Sequence, residues 1–144
     1  MQTEILYRPS FSLAVVKLAP NEVIRTEAGA MVSMSPDLVI DTQARGGILK
    51  SLTRSVLGGE SFFIKTYTAP SGGGEITLAP SLPGDIVATS LSNAALLVQS
   101  GSYLASSDGI TVDTKWGGAK TFFGGAGLVM LSVTGSGTLI LSSY

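Results

Sequence analysis

The chain has 144 residues, a net charge of −1 and a charged share of only 13%. That is one domain's length with about half the usual charge, and no bulk attraction for DNA or an anionic membrane. Cysteine and histidine are both absent, which excludes disulfides, thiolate nucleophiles, imidazole bases and the usual zinc ligands.

Met1 to Arg8 has no basic stretch leading into an apolar core, so no signal peptide is expected. Phe11 to Leu18 is apolar-rich and is broken by Pro20-Asn21. Glu22–Glu27, Ala30–Met34 and Leu38–Thr42 follow as short segments separated by Gly29 and the turn Ser35-Pro36-Asp37. Strands at this spacing predict a sandwich or barrel. Arg45 to Leu57 breaks the pattern. Ile48, Leu49, Leu52 and Val56 recur at helical spacing, with Arg45, Lys50 and Arg54 around them. One short helix plugging an open end of the β-structure is expected there; the other reading is a basic amphipathic helix that touches a membrane or partner.

Gly58-Gly59 then opens a run, Glu60 to Tyr67, with the look of a buried strand. The loop Ala69 to Gly74 leads to Glu75–Ala79, where Ile76 and Leu78 share one face. Pro80-Ser81-Leu82-Pro83-Gly84-Asp85 is too short for a flexible interdomain linker. Beyond it the pattern restarts. Adding 72 carries Gly29 onto Gly101, Leu38 onto Ile110, Ile40 onto Val112 and Asp41 onto Asp113. Past the helical insert the offset becomes 66, and Gly58-Gly59 lands on Gly124-Gly125. The reading is a single β domain, 1–144, of two internal repeats, about 11–80 and about 83–144.

The second repeat is short of charge. After Asp85 only Asp108, Asp113, Lys115 and Lys120 are ionisable as Asp, Glu, Lys or Arg. Ala94 to Val98 and Leu128 to Val133 are apolar on both faces, and strands of that kind need covering twice. Homo-oligomerisation through the second repeat is therefore expected. Neither uncharged span, Ile86 to Ser107 or Thr121 to Tyr144, reads as a transmembrane helix, because glycines and hydroxyls interrupt both.

Candidates for chemistry are few. Gly117-Gly118-Ala119-Lys120-Thr121 lacks the glycine before the lysine and the helix after it that a Walker loop needs. Gly72-Gly73-Gly74 reads as loop glycines. Asp41 and Asp113 are repeat counterparts that close strand ends; an oxygen-only cation site is the alternative use. Glu60 and Glu75 bracket a hairpin and suit cross-strand or loop-amide roles. Trp116, the single tryptophan, reads as a half-buried loop anchor, with stacking on a ligand or base as the alternative. No catalytic, cofactor-binding or metal residue is assigned, and no cofactor is expected.

Four ordered blocks carry a family resemblance: Glu27-Ala28-Gly29-Ala30-Met31-Val32, Gly58-Gly59-Glu60-Ser61-Phe62-Phe63, Leu78-Ala79-Pro80 with Pro83-Gly84-Asp85, and Gly124-Gly125-Ala126-Gly127-Leu128 with Gly135-Ser136-Gly137. Together they resemble the altered inheritance of mitochondria protein 24 family, which is grouped with the tryptophan RNA-binding attenuation protein. The resemblance implies an all-β fold, a β-sandwich of double-stranded β-helix type, and cytoplasmic bacterial members without an assigned activity. It also implies that members run on for a further repeat-sized segment, so this chain is naturally short or a fragment. The repeated basic residues of the attenuation protein have no counterpart here. The expectation is a cytoplasmic, non-enzymatic, self-associating structural or interaction module. The alternative is a small-ligand or RNA binder, its site at a subunit interface or in the helix-capped end.

Overall fold

The computed structural model describes residues 1–41, 55–57, 60–62, 64–113 and 130–143. Thirteen strands and one 3-10 turn, Ser100–Ser102, make up its named elements. The first sheet has the order β1(Gln2–Leu6), β2(Leu13–Leu18), β9(Gly74–Leu78), β4(Met31–Met34). The second runs β10(Asp85–Gln99), β13(Met130–Ser143), β11(Tyr103–Ser107), β3(Val23–Glu27), β8(Ile64–Thr68), β5(Val39–Asp41). β12(Ile110–Asp113) adds to β13 beside β11, and β6(Ser55–Leu57) pairs with β7(Glu60–Phe62) as a separate hairpin. Every ladder is antiparallel.

Alternation explains why these segments became strands. In β2, Ala14, Val16 and Leu18 point inward while Leu13, Val15 and Lys17 lie further out. Period-two burial of this kind matches the pleat of a half-covered sheet. The inward residues of β2 and β9 (Ala14, Val16, Ile76, Leu78) meet Ile24, Tyr67, Leu104, Ala105 and Ile140 of the second sheet. That cluster joins the two sheets face to face.

A second cluster lies on the opposite face of the larger sheet. It holds Ile64, Leu91, Val98, Tyr103, Ile110, Val112, Leu131, Val133 and Leu139. All nine come from one sheet, so that sheet folds over on itself. The fold falls where β10 shifts register between Leu91 and Ala94 and where β13 passes through Gly135 and Gly137, both at positive φ. Such bulges and glycine kinks are how a sheet turns a corner.

One expectation needs correction, and one segment gains a role that its sequence did not suggest. The helix expected over Arg45–Leu57 does not extend to its C-terminal end: Ser55–Leu57 is a strand, with Leu57 opposite Glu60. A β-branched residue followed by a two-residue Gly-Gly connection is hairpin chemistry, and it outweighed the helical spacing. Residues 42–54 lie outside the described residues. Met1 to Leu6, read only for its lack of a signal peptide, supplies β1 and covers the edge of β2.

Candidate interaction surface

β10 is the longest strand, at 15 residues, and after Asp85 it carries no charge. Its inner edge is paired with β13 from Asp85↔Ser143 to Gln99↔Met130. No described strand pairs with its outer edge. Ser92 to Leu97 are exposed without interruption, and four of those residues, Ala94 to Leu97, are apolar. Val87 and Leu97 are each 47% exposed and Leu96 is 40%. Native edge strands are usually protected by charge, proline or brevity; from Ile86 onward this one has no charge and no proline, and it is long.

Where β10 bends, an open groove of about 470 Å³ lies against it, lined by Val87, Leu97, Val98, Gln99, Ser102 and the β13 end from Leu141 to Ser143. The lining offers apolar side chains, hydroxyls and one amide. None of those residues is a cation, so the groove supplies nothing to neutralise a phosphate.

Ionic contacts fix the frame behind this surface. The Arg8 guanidinium grips both Asp85 carboxylate oxygens, with Nε–Oδ1 at 2.9 Å and Nη2–Oδ2 at 2.8 Å, and the Ser12 hydroxyl donates to Oδ1 at 2.8 Å. Arg8 first and Ser12 second hold the Asp85 carboxyl well below the usual carboxylate range. The arrangement ties the N-terminal segment to the start of β10. Asp85→Asn is expected to lower the melting temperature at pH 7. A depressed carboxyl stabilises above its ordinary value of 3.8 and loses that contribution as pH falls through and below it. The gap between wild type and variant should therefore be full at neutral pH and narrow below about pH 4. Because Arg8 is half exposed, salt should narrow it as well. Melting curves of both proteins across pH and ionic strength check this.

Arg25 makes the corresponding tie between halves. Its Nη2 donates to Asp108 Oδ1 at 2.6 Å and its Nη1 to the Asp108 carbonyl at 3.2 Å. The Tyr103 hydroxyl is fully buried beside the Ser106 hydroxyl, 2.7 Å away, and donates to the Arg25 carbonyl. Burial pushes its pKa upward, so it remains a neutral hydrogen-bonding group.

The residues singled out from sequence fall into structural positions. Asp41 ends β5 opposite Thr66, and Asp113 ends β12 opposite Ser132. The ladders place them on different strands that do not pair, and neither is without a partner. Glu75 sits directly across from Lys17, a cross-strand position as expected. Glu60 begins β7. Gly72 and Gly73 belong to the turn into β9, where the Gly73 N–H donates to the Pro70 carbonyl, and Gly74 begins the strand. Trp116 and Gly117 to Thr121 lie outside the described residues. Among the described residues no three acidic side chains converge as a metal cluster would, and no helix is long and apolar enough to cross a membrane. Sequence reasoning missed the Arg8–Asp85–Ser12 tie, which joins residues 77 apart and leaves no local signal.

These features define the class: an antiparallel all-β protein with a long strand, uncharged after Asp85, whose outer edge no described strand pairs. The chain belongs to the family described as Mitochondrial biogenesis AIM24, which matches residues 3–144. It is 29% identical over 142 residues to the uncharacterised protein M6_Spy0233 of Streptococcus pyogenes serotype M6, covering 93% of this chain and 57% of that one. The crystal structure of protein SPYM3_0169 from Streptococcus pyogenes superposes with a TM-score of 0.73 at 26% identity, covering 99% of this chain and 64% of that one. The chain thus spans less than two thirds of the length of both relatives.

Proposed function

We propose that the protein is a non-enzymatic, self-associating β-module whose two halves are copies of one strand-rich unit. The observation that carries self-association is the exposed run Ala94 to Leu97 on an uncharged strand. Consecutive exposed apolar residues are a defect unless something covers them.

The duplication is supported by strand register. Val23 pairs with Thr68 and Val39 pairs with the same Thr68. Adding 72 to the first member and 66 to the second gives Ala95↔Thr134 and Thr111↔Thr134, both of which occur. Asn21 and Asn93, again 72 apart, both adopt positive φ. The non-enzymatic reading is supported by what the carboxylates do. Glu22 takes the N-terminal ammonium and the Ala19 N–H, Glu27 takes the Gly29 N–H, and Asp85 and Asp108 hold arginines.

Light scattering after gel filtration tests the proposal. A mass that is a multiple of 14.8 kDa is expected at micromolar concentration. A clean 14.8 kDa species that binds a small apolar molecule would instead favour a ligand role for the groove beside Val87 and Leu97.

A further inference from the structure

Resting on the self-association just proposed, the geometry points to the two edges that meet: the outer edge of β10 over Ala95–Gln99 in one copy pairs antiparallel with the outer edge of β4 in a second copy.

The template is inside the molecule. Among the described residues one ladder joins the two halves, β3 with β11, through Thr26↔Ala105, Arg25↔Ser106 and Ile24↔Ser107. Adding 72 carries β3 onto Ala95–Gln99, and subtracting 72 from the numbers of β11, which begins at Tyr103, lands on β4, which begins at Met31. β4 and β11 share their irregularity as well. β4 shifts register between Met31 and Ser33, and β11 shifts between Tyr103 and Ala105. Each half thus has one β3-type edge and one β4-type edge. Two of the four are joined to each other; the other two, on β10 and β4, are paired on their inner sides alone among the described strands.

Exposure follows the same division. Ile24 and Leu104, on the strands of the joined edges, are 0% and 3% exposed, while their counterparts Leu96 and Val32 are 40% and 59%. The open edges are the two uncovered halves of a junction the protein already makes once. Side-chain chemistry favours a second copy as the occupant. The counterparts of Arg25 and Ser106 are Leu97 and Met34, so the new ladder sets two apolar side chains opposite each other. No charge is stranded. The remaining edges of the two sheets fit less well: β1 carries Glu4, β5 has three residues ending at Asp41, and β12 has four ending at Asp113. Because one copy offers β10 and the other β4, the contact is heterologous and closes into a ring or runs on as a chain.

The absence of cysteine gives a clean test. Met34→Cys and Leu97→Cys, mixed and treated with a short bifunctional thiol reagent, should cross-link far more than either variant alone. Leu97→Cys mixed with Val39→Cys, on the exposed β5 edge, should not. Leu97→Lys places a charge on an already exposed position; it should return the assembly to 14.8 kDa with an unchanged circular dichroism spectrum. Cross-linking of Leu97→Cys with itself, or an assembly indifferent to Leu97→Lys, overturns the β10–β4 pairing but leaves self-association standing. A monomeric wild-type chain overturns both.

Discussion

Replacing Gly135 with alanine is expected to destabilise the protein by about 3–5 kcal/mol and to lower its melting temperature by roughly 10–15 °C. Two effects add. The backbone there has φ +117, a region that side chains rarely adopt. A Cβ built on it also collides with the Gly109 carbonyl oxygen. That oxygen cannot swing aside cheaply, because it accepts the Ser136 N–H at 3.2 Å. Gly109 in turn faces the Ser136 carbonyl, so two backbone segments cross with no room for a side chain on either. Gly72 is the matched control, since nothing lies within 4 Å of a Cβ built there and its φ is ordinary. Gly72→Ala should be neutral or stabilise by about 0.4–1 kcal/mol through the unfolded chain. Urea denaturation of both variants at one fixed protein concentration checks this, since association makes midpoints concentration-dependent. Equal midpoints would mean that the sheet does not depend on a bare backbone at its corner.

How far this was legible in the sequence depends on how local the cause is. Short strands closed by turn residues were readable, because Pro20-Asn21 and Ser35-Pro36-Asp37 carry their own torsional preferences. The 72-residue offset is a pattern of the sequence itself, carrying Leu38, Ile40 and Asp41 onto Ile110, Val112 and Asp113; the duplication built on it is part of the function proposed above. Ser92-Asn93 interrupts the apolar pattern of its span in the sequence. In the structure β10 continues through it, with Asn93 at positive φ and its N–H donating to the Ser136 hydroxyl at 2.7 Å. A bulge and a strand end look alike in sequence, because both place small polar residues between apolar runs; only the partner strand decides between them. The same limit applies to the open edge. Leu96 and Ile24 are similar aliphatic residues on strands, and nothing local distinguishes the one that is covered from the one that is not. Burial there is set by whether a strand such as β11 lies alongside.

Ile140→Ala and Leu139→Ala are each expected to cost about 2–5 kcal/mol, a large share of the roughly 5–15 kcal/mol that holds a domain together. The two residues are neighbours on β13 and face opposite ways, as the pleat requires. Both are 0% exposed, Ile140 in the cluster between the sheets and Leu139 in the cluster on the far face. The residues directly opposite Ile140 are Ala88 on β10 and Ala105 on β11. Those opposite Leu139 are Thr89 and Ser106. A large side chain flanked on both sides by small ones leaves a void that its neighbours are too short to fill, which places both losses toward the upper end of the range. One strand serving two cores also couples them. Loss on either face loosens the ladder that the other face needs, so both variants should shift one common transition. Far-UV circular dichroism and the near-UV signal of the buried Tyr67 and Tyr103, one in each cluster, followed together through urea denaturation, would read it. Coincident curves in wild type and both variants are expected. Separate transitions, with Leu139→Ala moving one and Ile140→Ala the other, would mean that the corner at Gly135 and Gly137 divides β13 into independent units instead of bending a single one.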